Sequence, residues 1–507
     1  MTARDEFELK LALSRENLAA LRHHALMQSA VRRVGTRSRL VTTYFDTPKL
    51  ALKDRGLALR VRRDGERHVQ TLKAAAAEGS TVHRRREHES EVPSNRPDLT
   101  LIDHKSIKRF LRRGRAPLQP VFTSEIERDE IPLRFAGSDI ALAFDVGKIR
   151  SGDRVEDVCE AELELKSGSP AQLIELALAL NEQVPLRIEG RTKADRGYRL
   201  SSGEAALPVK ARPLALRPAA GVGAAFETIA RASVEQVRVN ERAFFDSEPA
   251  EAVHQLRVGL RRFRAALSLF RKVMAPATRD YLRDELKWLQ QSFGPARDID
   301  VVIDGYLRPR RGRNAAAVAA AAGIAAALRA EAYGRGRAAL SDPRYTRLLL
   351  NLELWFDNHE WLLPTARPDA RRAESVRAYA RRIVAKWDAK IRAIVVDAAV
   401  LSVEERHDLR IRAKKLRYAL EFTAGVFSKR RTHKLRALLA DLQDTLGHAN
   451  DIATAGQVLE AIRARGAAST EAMAGVRAVE RRLTAAAAAV GADVDTIGRK
   501  ILAAKNL

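Results

Sequence analysis

A basic pattern written twice constrains this chain more than any other feature. His254-x-x-Arg257-x-x-x-Arg261-Arg262-x-Arg264 recurs as His407-x-x-Arg410-x-x-x-Lys414-Lys415-x-Arg417, each member 153 residues after its counterpart. The same offset carries Leu289-Gln290 onto Leu442-Gln443, Gly294 onto Gly447, and Asp298-Ile299 onto Asp451-Ile452. Similarity at one fixed offset is an internal duplication, so the second half must fold as two copies of one unit. Leu256, Leu260, Phe263, Leu267 and Phe270 recur at spacings of four and three, a core-facing helical stripe. At 100° per residue the histidine and its partners at the third, seventh and tenth positions share an arc of about 80°, away from that stripe, while the eighth falls to one side. One face of each helix therefore packs and the other presents positive charge. No acidic residue lies between Gln255 and Phe270, so local ion pairs do not balance the first stripe.

The charge asymmetry points the same way. The chain carries 90 Lys and Arg against 64 Asp and Glu, a net charge of +26. Residues 1–200 hold 37 basic and 30 acidic side chains, or +7; residues 201–507 hold 53 and 34, or +19. The second part is the stronger binder of polyanions. Cys159 is the single cysteine, which excludes an intrachain disulfide, fits a reducing compartment and reads as a small core residue. The opening residues lack an apolar signal segment. The apolar run Ala315–Leu328 is mostly alanine and reads as too short to span a bilayer. These features predict a cytoplasmic protein with no membrane partner.

Residues 201–221 are rich in Pro, Ala, Gly and Ser and read as a linker; beyond them the pattern is helical, with Gly294-Pro295 and Gly447 marking helix ends. Before them, period-two segments predict strands at 6–13, 58–63, 68–73, 86–92, 140–146 and 160–166, with helices over 15–27, 106–113 and 170–182. Strand alternation puts Glu6, Glu8 and Lys10 on one face, Arg60 and Arg62 on another strand's face, and Glu160, Glu162 and Glu164 on a third. Like charges at alternate positions lie about 7 Å apart and need counter-ions. Pairing acidic with basic strands supplies them; so does closing the sheet around ligands. Carboxylates on neighbouring strands suit hard divalent cations, and arginines and lysines suit phosphates. No Gly-rich phosphate loop is present.

These pieces resemble the CYTH, or triphosphate tunnel metalloenzyme, family. The E-x-E-x-K signature stands as Glu6-Phe7-Glu8-Leu9-Lys10. Further matching pieces are Tyr44-Phe45-Asp46-Thr47-Pro48, Leu57–Arg62, Thr71-Leu72-Lys73, Phe122-Thr123 with Arg128, Phe144–Gly147, Glu160–Leu165, and Lys193-Ala194 before Arg196-Gly197-Tyr198. The resemblance implies an eight-stranded antiparallel β tunnel with flanking helices that hydrolyses or cyclises triphosphates with Mg²⁺ or Mn²⁺. It implies metal ligation by Glu6, Glu8, Glu160 and Glu162, with Glu164 open as a further member. Asp145 is then a catalytic group beside Lys10, Glu6 and Glu8, assisting the metal or orienting a water. Phosphate oxygens fall to Lys10, Arg60, Arg62, Lys73, Arg128 and Lys193. Inorganic triphosphate is the expected substrate; thiamine triphosphate hydrolysis, adenylate cyclisation and a silent, scaffold-like tunnel are the alternatives.

The duplicated half resembles the CHAD, or conserved histidine α-helical, domain, on His254–Val258 with Arg261-Arg262, His407–Arg410 with Lys414–Tyr418, and Arg297-Asp298 with Asn450-Asp451. The resemblance implies two pseudo-symmetric four-helix bundles whose basic helices bind inorganic polyphosphate. The implied binders are His254, Arg257, Arg261, Arg262, Arg264, His407, Arg410, Lys414, Lys415 and Arg417. Asp298 and Asp451 read as helix caps. Trp288 and Tyr418 read as core. Nucleic acid is the rival polyanion, but no aromatic residue interleaves with the basic stripe to stack bases. The whole reads as a multidomain α+β protein: a tunnel domain over 1–202, a linker over 203–221 and a duplicated helical domain over 222–507. It is expected in the cytoplasm, associated with polyphosphate granules.

Overall fold

The computed structural model describes the chain apart from residues 1–5, 32–34, 75–81, 86, 103–116, 215, 309–313, 359–373, 397–400, 468 and 505–507. The helix expected at 106–113 lies outside the described residues. Two compact units emerge: residues 1–206 with 340–358, and residues 207–339 with 359–507.

The first unit is built on an antiparallel sheet. Its strands are β1 (Glu6–Ala12), β2 (Thr36–Asp46), β3 (Leu57–Asp64), β4 (Arg67–Ala74), β5 (Val82–Arg85), β6 (Glu87–Val92), β7 (Gln119–Phe135), β8 (Ser138–Ser151), β9 (Arg154–Ser167) and the short β10 (Arg187–Ile188). The order β1-β9-β8-β7-β2-β3-β4-β6 would leave two edges, but β5 pairs with β1. Because β5 and β6 follow one another across residue 86, the sheet closes on itself. Counting them as one and setting β10 aside gives the expected eight-stranded tunnel. Closure removes exposed edges and forces alternate side chains inward.

The outward faces are apolar and covered. Leu9, Leu11, Leu142, Ala161 and Leu163 are fully or almost fully buried on the outside of the ring. Helices α1 (Arg15–Arg22), α2 (Ala25–Ala30) and α3 (Pro170–Asn181) pack over β9, β7 and β1. The single helix expected over 15–27 is two, because the His24 ring accepts from the Leu26 amide and caps a new start. Helix α4 (Lys193–Ser202) begins with a reciprocal Thr192–Asp195 capping box and packs on β7, β8 and β9. Gly197 permits that approach: a β-carbon there would lie 2.0 Å from the Phe122 ring. Phe122 in turn stacks on Tyr44 at 4.4 Å and meets Tyr198 edge-on at 5.2 Å, filling the space beside α4.

The second unit shows the duplication helix by helix. One copy comprises α5 (Val222–Ser247), α6 (Ala250–Leu269), α7 (Pro276–Ser292), α8 (Gly294–Val302) and α9 (Ala315–Ser341). The other comprises α11 (Val376–Val395), α12 (Val403–Phe422), α13 (Lys429–Arg465) and α14 (Thr470–Ala503). Helices α6 and α12 match end to end at the 153-residue offset. The copies differ at one expected boundary. Gly294-Pro295 ends α7 and starts α8, whereas Gly447 lies inside α13, where it was expected to end a helix. Proline removes a helical N–H and clashes with the preceding turn, while an interior glycine costs only about 1 kcal/mol. His448 stands where the first copy has Pro295, so the second helix runs through.

Three further expectations change. Helix α10 (Pro343–Asn358) falls between the two copies and belongs to the sheet unit, although it lies within the 222–507 span expected to be wholly the helical domain. Its Pro343 carbonyl accepts from Asn181 Nδ2 at 2.9 Å, Thr346 Oγ1 donates to the Leu186 carbonyl at 2.5 Å, and the helix packs on α3. The expected linker is coil but held: Asn240 takes both backbone groups of Val209 at 2.9 Å. The alanine run Ala315–Leu328 continues into a 27-residue helix that is long and apolar enough, by length and composition, to cross a membrane. Within its unit, Ala321, Ala325, Ala332 and Tyr333 of that helix are buried, and Arg329 pairs with Asp300 at 2.7 Å.

Candidate tunnel site and basic cleft

Register sets the chemistry of the tunnel. Arg128 stands opposite Asp145, and Asp145 opposite Glu160, forming one row across β7, β8 and β9. The next row places Glu162 opposite Lys10 of β1, and the next places Glu164 opposite Glu8. Across the ring, Arg60 of β3 faces Tyr44 and Thr71, and Arg62 faces Thr42. All of these but Glu160 and Thr71 line one cavity of about 460 Å³, together with Lys73, Glu89, Lys53 and Lys193.

Asp145, Glu160 and Glu162 are all buried, and each offers a carboxylate oxygen within 4.8 Å of the others. Such proximity is unfavourable without cations, and side chains supply them. Lys193 Nζ lies 2.6 Å from Asp145 Oδ2 and 3.0 Å from Glu162 Oε1, and pairs with Glu160 as well. Arg128 grips Asp145 through two hydrogen bonds of 2.7 and 2.6 Å and also reaches Glu162. Lys10 bridges Glu162 and Glu8, the latter at 2.9 Å. Arg196, held by Glu156 at 2.8 Å and by the Asp157 carbonyl, reaches Glu160 at 3.2 Å. Burial works to raise all three carboxyls. At Asp145 and Glu162 the neighbouring cations win and hold them below the usual range; at Glu160 burial wins and its carboxyl is raised.

Opposite this balanced cluster lies an unbalanced one. Arg60 Nε is buried without a hydrogen-bond partner. The repulsion of Arg60, followed by burial and Arg128, pulls the Arg62 guanidinium down to about 10. Two guanidiniums that repel one another, with Glu89 acting on Arg62 as a weaker counter-charge, form a site for an anion with several oxygens.

The expected tunnel residues therefore separate into groups. Glu160 and Glu162 come together, and Asp145 joins them as a potential ligand. Glu8 and Glu164 sit one row further along, where they contact Lys10 at 2.9 Å and Lys166 at 2.6 Å, so neither belongs to the three-carboxylate cluster. The side chain of Glu6 lies outside the described residues. Register describes the separation: Glu162 stands opposite Lys10, whereas Glu8 and Glu164 stand opposite each other two residues away and turn to Lys10 and Lys166. Lys10, Arg60, Arg62, Lys73, Arg128 and Lys193 all line the cavity as expected. Sequence reading gave no role to Arg196 or Asp46. Asp46 is fully buried and accepts from the Thr47, Leu52 and Lys53 amides at 2.7 to 2.9 Å and from the Tyr198 hydroxyl at 3.1 Å. It fixes the loop that carries Lys53 and ties that loop to α4. An aspartate directly before Thr-Pro was the available signal.

In the helical unit, His254, Arg257, Arg261 and Arg264 are half-buried along α6, as are Arg410, Lys414 and Arg417 along α12; His407 is exposed. Arg261 donates to the Tyr418 hydroxyl at 2.8 Å, joining the copies, so Tyr418 is both core and a contact of the basic stripe. Gln290 holds two stripe residues, accepting from Arg257 through its carbonyl at 3.0 Å and from Arg264 through Oε1 at 2.5 Å. Its duplicated counterpart, Gln443, was visible in the sequence, yet the role was not. The like charges depress one another: burial together with Arg410, Arg261 and Arg417 pulls the Lys414 ammonium down to about 8, and burial with Arg297 lowers His254.

The eighth positions leave the stripe in both copies. Arg262 is buried, paired with Glu421, and lies over the Phe422 ring at 5.7 Å. Lys415 lies over Trp387 at 4.7 Å, with Lys390 at 5.3 Å. Both turn away because the eighth residue is offset from the arc. Asp298 and Asp451 lie inside α8 and α13 and are not the helix caps expected. They face the basic groups: Arg257 and Arg297 act on Asp298, and Asp451 acts on Asp298 and Arg410.

Comparison with known proteins places these features. The CYTH domain model matches residues 4–198 and the CHAD domain model matches residues 228–460. The chain belongs to these two families in that order, a CYTH domain followed by a CHAD domain. The solved CHAD domain of the plant Ricinus communis is similar at 30% identity and a TM-score of 0.50, over 59% of this chain and 98% of that one. An inorganic triphosphatase of Haemophilus influenzae is 31% identical over 168 residues, which are 32% of this chain and 46% of that protein. The chain thus spans about half the length of that curated relative.

Proposed function

We propose that the tunnel hydrolyses inorganic triphosphate with Mg²⁺ or Mn²⁺, and that the helical unit binds inorganic polyphosphate. One observation carries the first part: a buried cluster of three carboxylates, two of which (Asp145 and Glu162) line the cavity, shares that cavity with the guanidiniums of Arg60 and Arg62. Neither cluster alone selects this chemistry; a divalent cation with a phosphate chain matches both. The Haemophilus relative supports the substrate class.

Asp145, Glu160 and Glu162 fit a hard divalent cation in their donor atoms and spacing. Bound there, such an ion supplies neutralisation of charge at the terminal phosphoryl group. The rest falls to side chains. Arg60, Arg62 and Lys73 hold phosphate oxygens and orient the chain. Arg128, fixed by Asp145, presents its guanidinium to the charge that develops as the anhydride bond opens. Asp145 is fully engaged by Arg128 and Lys193, so it serves as an orienting group. For the helical unit, a basic stripe repeated in both copies and offset only in part by Asp298 and Asp451, with no free aromatic platform along it among the described residues, suits phosphates without bases.

Phosphate release from tripolyphosphate, pyrophosphate, ATP and thiamine triphosphate, each with Mg²⁺ or Mn²⁺, tests the tunnel. Tripolyphosphate is expected to lead. No release from any of the four leaves the tunnel a silent scaffold, and faster turnover of ATP or thiamine triphosphate replaces the substrate. Competition between polyphosphate and duplex DNA for the whole chain at matched salt tests the cleft.

A further inference from the structure

The acidic cluster already contains a cation. Lys193 Nζ is bonded to one oxygen from each of Asp145, Glu160 and Glu162. Among the described residues, the other cations at the cluster are either shared outward or reach only part of it. Arg196 is tied to Glu156 and to the Asp157 carbonyl, Lys10 to Glu8, and Arg128 spans Asp145 and Glu162 without reaching Glu160. Among the described residues, Lys193 alone contacts all three members. Its backbone is fixed at the first position of α4 by the Thr192–Asp195 capping box, while its ammonium rides on a flexible four-carbon stem lining the same cavity as Arg60 and Arg62. The head group can therefore leave the carboxylates for the cavity without disturbing the helix.

We propose that Lys193 is a built-in stand-in for the divalent cation, and that triphosphate admits metal to the cluster by drawing the ammonium onto its own oxygens. This rests on the tunnel reading above and adds an order to it. An ammonium and a divalent cation cannot share three oxygens confined within 4.8 Å. The ligand-free protein thus binds free metal weakly while remaining electrostatically satisfied. An anion entering beside Arg60 and Arg62 competes for Lys193, so metal and triphosphate bind with positive coupling.

The test follows free Mn²⁺ by electron paramagnetic resonance in the full chain, with and without imidotriphosphate, so that no turnover is needed. Lys193→Met is expected to bind Mn²⁺ about tenfold tighter than wild type in the absence of the analogue, a differential of the size typical for coupled sites. Arg60→Met removes a charge from the same cavity without touching the carboxylates and is expected to leave free-metal affinity within about threefold, since a screened charge acts weakly at a distance. The analogue should tighten Mn²⁺ binding by a larger factor in wild type than in Lys193→Met. Lys193→Gln provides a smaller polar replacement if the methionine variant loses its fold by circular dichroism. Equal free-Mn²⁺ affinity in wild type and both Lys193 variants overturns the proposal while leaving the tunnel reading intact. Equal tightening by Arg60→Met also overturns it, because the effect is then general to the field of the cavity. Failure of every form to bind Mn²⁺, even with the analogue, defeats the metal reading and this inference together.

Discussion

The tunnel and the basic cleft are both charged, but they balance charge in opposite ways. In the tunnel, Lys10, Arg128, Lys193 and Arg196 each meet a carboxylate, and only the Arg60–Arg62 end is left in excess. In the cleft, arginines and a lysine crowd one another, and their shared effect is a lowered ammonium at Lys414. The difference follows from secondary structure. A closed antiparallel sheet sets residues of different strands face to face, so acidic and basic rows can interlock. Two similar helices repeat one sign, which Asp298 and Asp451 from α8 and α13 offset only in part. A site where both signs interlock suits a ligand that itself combines cation and anion; a site where basic groups predominate suits an anion alone.

The sharpest way to break this contrast is to unbalance the tunnel. Glu162 is the carboxylate on which Lys10, Arg128 and Lys193 converge. Glu162→Gln is expected to lower triphosphate hydrolysis about a thousandfold, the upper range for losing one preorganised electrostatic group. It should also lower stability by about 3–5 kcal/mol, as when one partner of a buried ion pair is removed. Phosphate release and thermal unfolding read the two effects. A variant as stable as wild type would show that the cations do not depend on Glu162.

Arg60 should behave in the reverse sense. Its buried Nε has no partner, and it is the leading cause of the lowered Arg62 guanidinium. Arg60→Gln is expected to cost about a hundredfold in kcat/KM through lost charge stabilisation. The same change should leave the melting temperature unchanged or raise it, because binding residues held in strain are paid for in stability. A clear drop in melting temperature would mean that Arg60 is a structural residue and that the excess charge is not a binding device.

The sequence made the inward and outward faces legible because strand alternation needs no partner. Lys10, Arg60, Glu160 and Glu162 were placed on the wet face by counting in twos; Lys10, Arg60 and Glu162 line the cavity, and Glu160 is buried in the carboxylate cluster. Which carboxylates meet was not legible, because that depends on register between β8 and β9. Asp145 sits on a strand with alanines at 141 and 143, so nothing local marks it as the partner of Glu160. The helical arc was legible for the same reason as the strand faces. Yet the third dimension again decided the fate of Arg262, whose partner Glu421 lies in the other copy. Nor could periodicity show that α10, between the two repeats, packs on the sheet unit.

Arg261 and Arg262 turn that last point into a paired test. Arg261 belongs to the stripe and touches Tyr418; Arg262 is buried against Glu421. Arg261→Gln is expected to weaken polyphosphate binding about tenfold and to reduce the salt dependence by about one unit of slope, as for one phosphate contact. Arg262→Met should leave that slope unchanged and instead lower the melting temperature, with Glu421 left without its buried partner. Titrations over a range of salt, beside thermal unfolding, distinguish the two. Equal slopes in both variants would erase the distinction between the stripe and its eighth position.

The smallest effect should come from pH, and its sign is fixed by the crowding in the cleft. Lys414 titrates at about 8 in the folded, ligand-free protein, against 10.5 for an ordinary lysine. Between these values the unfolded chain holds the proton more firmly, so the ligand-free helical unit gains stability as pH rises through that window. Polyphosphate reverses the balance: an oxygen beside the ammonium restores its proton affinity, and binding above pH 8 takes up a proton. Affinity is therefore expected to be flat below pH 8 and to fall about tenfold over the next one to two units, a loss set by one titrating group. The neighbouring arginines keep their charge throughout. Lys414→Arg should remove the fall while preserving binding at neutral pH, whereas Lys415→Arg, against Trp387 and off the stripe, should leave it in place. Calorimetric titration from pH 7 to 9.5 in buffers of different ionisation enthalpy measures both the affinity and the proton taken up. A fall that persists in Lys414→Arg would assign the titration elsewhere and remove the main evidence that cleft charges crowd one another.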